Sequence, residues 1–385
     1  MKRINKEYFT IAGLILNDNN RGTAALGYGS FSFLQERGYI NKDDKLLTIR
    51  LVNNIFKKVN RTVCHKTLTI QGITYKNDII SISKIEYFLL IKFGFTFPWT
   101  STIKYLKKIK VVAAINGGDG YSDIYGSKCF YDRLPIINIG LAVKAKLIFL
   151  PQTLGPFVQE KIKNTALKIL RQANFIYVRD DKYTNVLKEQ GLDWKMCKDL
   201  SFYMKPEPWD IKIDSDSIGI NISGLCYYNK FRNLSGQFLY YPKLIEQLII
   251  KFQKLNKTIY LIPHSYNYSS SEENNDDLVA CREMYNHLTN KKNIILIDKD
   301  LTSPQIKYLI SKMSFFVGTR MHSNFAAIYT GVPVFGLSYS YKFIGAFNSN
   351  GLNGEKQTAM INNIKDTDIS FIIEKVLRFY NVKNK

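Results

Sequence analysis

The sequence predicts an α/β protein built as two Rossmann-like domains facing each other across a cleft. Short apolar runs of strand length alternate with segments of helical period along nearly the whole chain. Those runs end repeatedly in turns bearing Gly, Arg, His or Asn that open the next helix, as the strand-to-helix junctions of a parallel sheet do. A proline-rich stretch of alternating charge, KPEPWDIKIDSD at 205–216, splits the 385 residues into halves that are each long enough for a core. The division is then 1–205, 217–365, and a final helix within 366–385 for which the first domain is a candidate docking surface.

In the first half a strand over 9–16 runs into Asn17 to Thr23, and 24–35 follows as a helix. A glycine between strand and helix suits a ligand phosphate or a sugar hydroxyl, so Asn20 and Gly22 are binding candidates; plain turn geometry also asks for glycine there. Residues 47–52 read as a second strand. Residues 84–110 hold seven aromatics from Tyr87 to Tyr105, followed by Lys107, Lys108 and Lys110. A buried helix plus a loop is the first reading, since aromatics are more often core; an interfacial patch on an anionic membrane is the second.

The strand over 110–115 delivers Asn116-Gly117-Gly118-Asp119-Gly120 to the sheet edge. Gly118 permits close backbone approach, and Asp119 or Asp123 can orient a sugar hydroxyl or accept its proton, with an Asx turn equally open. The strand over 147–150 ends at Pro151-Gln152-Thr153, which points Gln152 and Thr153 into the cleft, and a helix follows over 160–172. The strand over 175–178 ends at Arg179-Asp180.

In the second half, strands over 218–222, 258–262 and 293–297 alternate with helices over 241–254 and 303–311. The strand over 258–262 leads to Pro263-His264-Ser265, making His264 a secondary cleft candidate. The loop over 269–277 ends in a helix cap at Asn275 or Asp276. The most informative stretch is 315–343, FFVGTRMHSNFAAIYTGVPVFGLSYSYKF. An apolar run stops at Gly318-Thr319, and Arg320, Met321, His322 and Ser323 open a helix. Gly331 closes that helix, and a second apolar run ends at Ser338-Tyr339-Ser340 ahead of Lys342. Helix dipole and free amides favour an anion at such a junction, so Arg320 and His322 are placed to hold one. With Arg179 at another strand end, two arginines suit a ligand with two anionic ends, because a guanidinium grips a carboxylate or phosphate with two parallel bonds.

Composition bounds the rest. Hydrophobic residues make up 45% and charged residues 22%, ordinary for a folded chain. Lys plus Arg number 54 against 32 Asp plus Glu, a formal +22, which points to anionic partners or to solvated lysine-rich faces. The lysines are dispersed and no nucleic-acid motif is present, which argues against nucleic acid. Five cysteines without metal spacing suggest reduced thiols in a cytoplasmic protein and no metal site. The start, MKRINKEYFTIAGLIL, reads as a first strand and not a signal peptide, and no run reaches the length of a membrane span.

The segment GTRMHSNFAAIYTGVPVFGLSYSYKF resembles the C-terminal signature of the polysaccharide pyruvyl transferase family. Four further segments fit in order: NNRGTAALGYGSF, INGGDGYSD, PQTLGPF and VRDDKYTNVLKEQGL. The resemblance covers most of the chain. It departs at Thr23, where the family often carries Asp. It implies transfer of a pyruvyl group from phosphoenolpyruvate to a sugar as a ketal, without a cofactor, on the two-domain architecture called GT-B. It further implies His322 as acid–base, Arg320 with Met321 and Ser323 at the donor, and Asp119 at the acceptor. The acceptor would be a sugar of a cell-surface polysaccharide or its lipid-linked precursor, met in the cytoplasm or at the inner face of the plasma membrane. The same architecture also hosts nucleotide-sugar glycosyltransferases and catalytically silent glycan binders, so fold alone does not choose among these.

Overall fold

The structure, a computed structural model, describes residues 6–53, 62–95 and 102–383. The chain divides into two compact units, 1–16 with 26–204, and 17–25 with 205–385.

The first unit carries an eight-stranded sheet in the order β3-β4-β2-β1-β5-β6-β7-β8. Its strands are β1 (Tyr8–Ala12), β2 (Lys45–Val52), β3 (Cys64–Ile70), β4 (Ile73–Ser83), β5 (Ile109–Ala114), β6 (Lys146–Gln152), β7 (Phe175–Val178) and β8 (Lys195–Met196). All pairs are parallel except β3 with β4. Every residue of β1 is buried, as a central strand covered on both faces requires. The β3–β4 hairpin has no counterpart in the sequence reading. Gln71 and Gly72 form its two-residue turn, both at positive φ (51° and 81°), the geometry that matches strand twist.

The second unit carries a six-stranded sheet in the order β11-β10-β9-β12-β13-β14. Its strands, all paired in parallel, are β9 (Ser217–Asn221), β10 (Thr258–Leu261), β11 (Ile294–Leu296), β12 (Phe315–Gly318), β13 (Val334–Ser338) and β14 (Thr358–Met360). Helix Tyr241–Lys254 shows why these crossovers form. Pro242 sits in its first turn, and Leu244, Ile245, Leu248, Ile249 and Phe252 make one fully buried stripe against β9 and β10.

Three expectations change. Residues 17–25 belong with the second unit and not the first. The Asn20–Ser265 bridge and the Arg21 side chain hold them there, with Nε donating to the Leu301 carbonyl at 2.9 Å and Nη2 meeting Asp300 at 2.8 Å. The final helix, Asp368–Lys383, packs Ile369, Ile372, Ile373, Val376 and Tyr380 into the second unit's own core, because its apolar stripe matches the face left open beside helix Tyr241–Lys254. The aromatic stretch splits. Leu90 and Leu106 are core, but much of helix Lys84–Phe93 is exposed, and residues 96–101 lie outside the described residues. Among the described residues no helix is long and apolar enough to cross a membrane.

Candidate functional site

In the second unit the chain leaves the neighbouring strands β9 and β12 in opposite directions across the sheet. At such a switch point the loops after the strands part and a ligand fits between them. Asn221, the last residue of β9, ties the loops together: its Oδ1 accepts from the Arg320 amide at 2.8 Å and the Ser323 hydroxyl at 3.1 Å. Beneath them Asp277, fully buried at the start of helix Asp277–His287, acts as a hub. One carboxylate oxygen accepts from the Gly224 amide (2.8 Å) and from Arg320 Nη2 (2.6 Å) and Nε (3.0 Å). The other accepts from the amides of His264 (3.1 Å) and Ser265 (3.0 Å). The cap of that helix is Asp276, one of the two residues the sequence offered.

This changes what Arg320 can do. Nη2 also donates to the carbonyl and side-chain oxygen of Asn275, both at 2.9 Å, so Nε and Nη2 are committed and at most Nη1 remains for a ligand. Burial alone would push this guanidinium's pKa down; Asp277, by charge and hydrogen bond, more than offsets that and holds it above the ordinary arginine value. A two-pronged grip on the donor by Arg320 is therefore not available in this conformation.

His322 stands in the first turn of helix Met321–Ile328, half buried, its ring edge-on to Phe325 at 5.5 Å. Gly22 lies against it so closely that a methyl group built there would stand 2.5 Å from His322 Nδ1. His264 is 4% exposed and its Nδ1 has no hydrogen-bond partner among the described residues. Burial first, then the charges of His322, Arg320 and Arg21, push its pKa well below the usual histidine value, so it stays neutral. The site thus joins a half-buried imidazole, a buried neutral imidazole with an open ring nitrogen, and the amides at the start of a helix, whose dipole favours an anion.

Other expected contacts turn inward. Ser323 donates to the Arg320 carbonyl (2.7 Å) and Ser338 to the Ser340 carbonyl (2.6 Å), so both hydroxyls fasten their own turns. Asn20 accepts from the Gly22 amide at 2.9 Å. Met321 packs on the core, and Lys342 is exposed.

The first unit repeats the plan at its own switch point, between β1 and β5. Gly118, at φ +90°, lets Arg179 pass: a Cβ there would meet Arg179 Nη1 at 3.0 Å. Arg179 Nη1 donates to buried Asp199 at 2.8 Å and Nε to the Thr153 hydroxyl at 3.2 Å, and Thr153 also bonds Asp180. Burial lowers the pKa of this guanidinium and Asp199 more than restores it, so here too a strand-end arginine rests on a buried carboxylate. Gln152 is fully buried and turned to the backbone, donating to the Ala114 carbonyl at 2.7 Å, and does not face a ligand. Asp119 is half buried and accepts from the Tyr125 hydroxyl (3.1 and 3.2 Å); burial, then Asp119, raises the phenol to about 12. Arg133 packs over Tyr125 with Nη1 buried and without a hydrogen-bond partner among the described residues. The sequence reading passed over Arg133, Asp199 and Asp277.

Residues 20–341 match the family model described as polysaccharide pyruvyl transferase. The chain belongs to that family. The match takes in both switch points. A curated relative, the amylovoran biosynthesis protein AmsJ of Erwinia amylovora, is 19% identical over 263 residues, 64% of this chain; the match spans about three fifths (61%) of that relative's length. Among solved structures, a candidate UDP-N-acetylglucosamine 2-epimerase of Listeria monocytogenes aligns with a TM-score of 0.55 at 10% identity, covering 98% of this chain and 88% of its own. The UDP-GlcNAc 2-epimerase of Neisseria meningitidis bound to UDP-GlcNAc aligns at 0.51 and 10% identity, covering 98% and 92%. At that identity the likeness is one of fold, and it gives this pyruvyl transferase family member the paired α/β units of the GT-B type.

Proposed function

We propose that the protein transfers a pyruvyl group from phosphoenolpyruvate to two hydroxyls of one sugar in a cell-surface polysaccharide or its lipid-linked precursor, with inorganic phosphate as the second product. The observation that carries this reading is the pair His322 and His264 at the switch point of a pyruvyl transferase family chain. The reaction needs a proton delivered to the methylene carbon of phosphoenolpyruvate. One sugar hydroxyl oxygen then bonds to the neighbouring carbon and gives up its proton. The bond from that carbon to the phosphate oxygen breaks, phosphate leaves with the electron pair, and the second hydroxyl oxygen closes the ketal with loss of its own proton. His322 is the group that gives and takes these protons, since imidazole cycles between its two forms near neutral pH. The helix amides, Arg320 Nη1 and His264 Nδ1 bind the donor's anionic groups. In the first unit Asp119, with Tyr125 beside it, orients the acceptor hydroxyl. A lipid-linked acceptor places the reaction in the cytoplasm at the inner face of the plasma membrane.

The test is a comparison of ligands on the purified protein. Phosphoenolpyruvate raises the melting temperature, and UDP-N-acetylglucosamine does not. His322→Ala keeps that shift and lowers turnover by roughly two to four orders of magnitude. A shift with the nucleotide sugar alone overturns the reading in favour of glycosyl transfer.

A further inference from the structure

The exposed part of the aromatic segment lies on one side of the first unit. Ile85, Phe88 and Ile91 follow one another at helical spacing on helix Lys84–Phe93 and are 63%, 53% and 41% exposed; Phe93 and Phe95 continue the apolar surface at 57% and 50%. The exposed Lys92 places its ammonium over the Phe88 and Phe93 rings at 5.4 and 5.5 Å. The opposite side of the helix accounts for its position, because Leu90 packs with Ile80, Ile82 and Leu106 in the core. Its acid, Glu86, is buried and bonded to Ser83, so it contributes no negative surface.

A cavity of about 440 Å³ opens on the same face of the sheet. Along β4, Ile80 and Ile82 lie under the helical layer, and Asp78 and Lys76 are the next residues of the same parity, so they share that face where the layer ends. Four lysines line the cavity: Lys45, Lys76, Lys104 and Lys108. Its two carboxylates are already engaged, Glu7 with Lys45 and Lys108 (2.9 Å each), and Asp78 with Tyr8 and with His65 Nδ1 (2.6 Å). Lys76 and Lys104 are exposed and have no ion pair among the described residues. The cavity takes in the first residues of β1 and β2 and the residue before β5, so it lies at the N-terminal edge of the parallel strands, opposite the loops of the first unit's own switch point. Helix Lys84–Phe93 follows the C-terminal end of β4, and the chain re-enters the sheet at β5, the residue before which, Lys108, lines the cavity.

We propose that this face docks on an anionic phospholipid bilayer, the stripe from Ile85 to Phe95 entering the headgroup layer and the cavity lysines receiving lipid phosphates. An apolar helix face rimmed by lysines, with its one acid buried, is complementary to that surface in both polarity and charge. None of the residues at the first unit's switch point lines this cavity. The inference does not depend on the pyruvyl-transfer reading, since its test reads lipid binding and not catalysis.

The full chain is mixed with vesicles of phosphatidylcholine alone or with added phosphatidylglycerol and sedimented at low and high salt. Co-sedimentation with the anionic vesicles alone, released by salt, is the expected result. Phe88→Ser with Phe93→Ser abolishes it, and Lys76→Glu with Lys104→Glu weakens it by tenfold or more; all four positions are exposed, and thermal melts verify the fold. Equal partition into both vesicle types overturns the proposal, as does binding unchanged in both double variants. So does an acidic protein, or inorganic phosphate alone, that binds this face while anionic vesicles leave the chain in solution.

Discussion

Replacing Gly22 with alanine tests the acid–base assignment without touching the histidine. Gly22 is buried near the start of helix Arg21–Glu36 and has ordinary helical backbone, so alanine by itself favours that helix by about 0.5–1 kcal/mol. The new methyl group, however, would sit 2.5 Å from His322 Nδ1, 2.6 Å from Cγ and 2.8 Å from Cβ. No ring rotation relieves the contact with Cβ, so His322 must leave its place as a whole. Overpacking of this kind costs about 1–3 kcal/mol, which leaves a net loss between about 0 and 2.5 kcal/mol and at most a few degrees of melting temperature. Turnover, measured as phosphate released from phosphoenolpyruvate in the presence of acceptor, falls far more, by about two to four orders of magnitude, as it does for His322→Ala. The double variant Gly22→Ala/His322→Ala is close in turnover to His322→Ala alone, because the acid–base group that the methyl displaces is already absent. Gly22→Ala with near-wild-type turnover would refute the assignment of His322 as the acid–base.

Two further outcomes follow from the buried charges of the second unit. Asp277→Ala leaves the Arg320 guanidinium, 12% exposed, without its counter-ion, and urea unfolding shows a loss of about 3–5 kcal/mol; a loss under about 1 kcal/mol would mean that the pair does not hold the loops. His264 bears on pH. Its folded-state pKa lies well below 6.5, so below that pH the unfolded chain binds a proton that the folded chain does not. Stability therefore declines as pH falls through and below about 6.5, by up to about 1.4 kcal/mol per pH unit from this group, and His264→Asn removes that part of the slope. An identical slope in wild type and variant, in urea melts at successive pH values, would contradict the neutral buried state.

Much of the fold could be read from the chain because central parallel strands are continuous apolar runs and the turns after them carry their own punctuation. The run 110–115 and the sequence GTRMHS are examples of each. The β3–β4 hairpin escaped because β3 is mostly exposed, so lysine, histidine and threonine dilute its alternation; Gln71-Gly72 was the available signal. At the site, Gly22, Arg320 and His322 were legible from their places beside strand ends. Asp277 and Asp199 were not, since each meets its arginine across 43 and 20 residues of sequence and neither lies in a motif. Gln152, Ser323 and Ser338 show the converse: a position at a strand end says that a side chain is near the loops, not which way its rotamer turns.

The seating of both strand-end arginines on buried carboxylates bears on how this strongly basic chain responds to ions. Each arginine brings a positive charge that is matched within a few ångströms, so an arriving anion meets aimed N–H dipoles with little surplus field behind them. Fixed dipoles act over contact distances and are barely screened by mobile ions, whereas the unmatched lysines at the N-terminal edge of the first unit's strands act through solvent and are. Salt thereby becomes a discriminating probe on one molecule: raising it should strip the chain from an acidic lipid surface while leaving its affinity for a small anionic substrate nearly where it was.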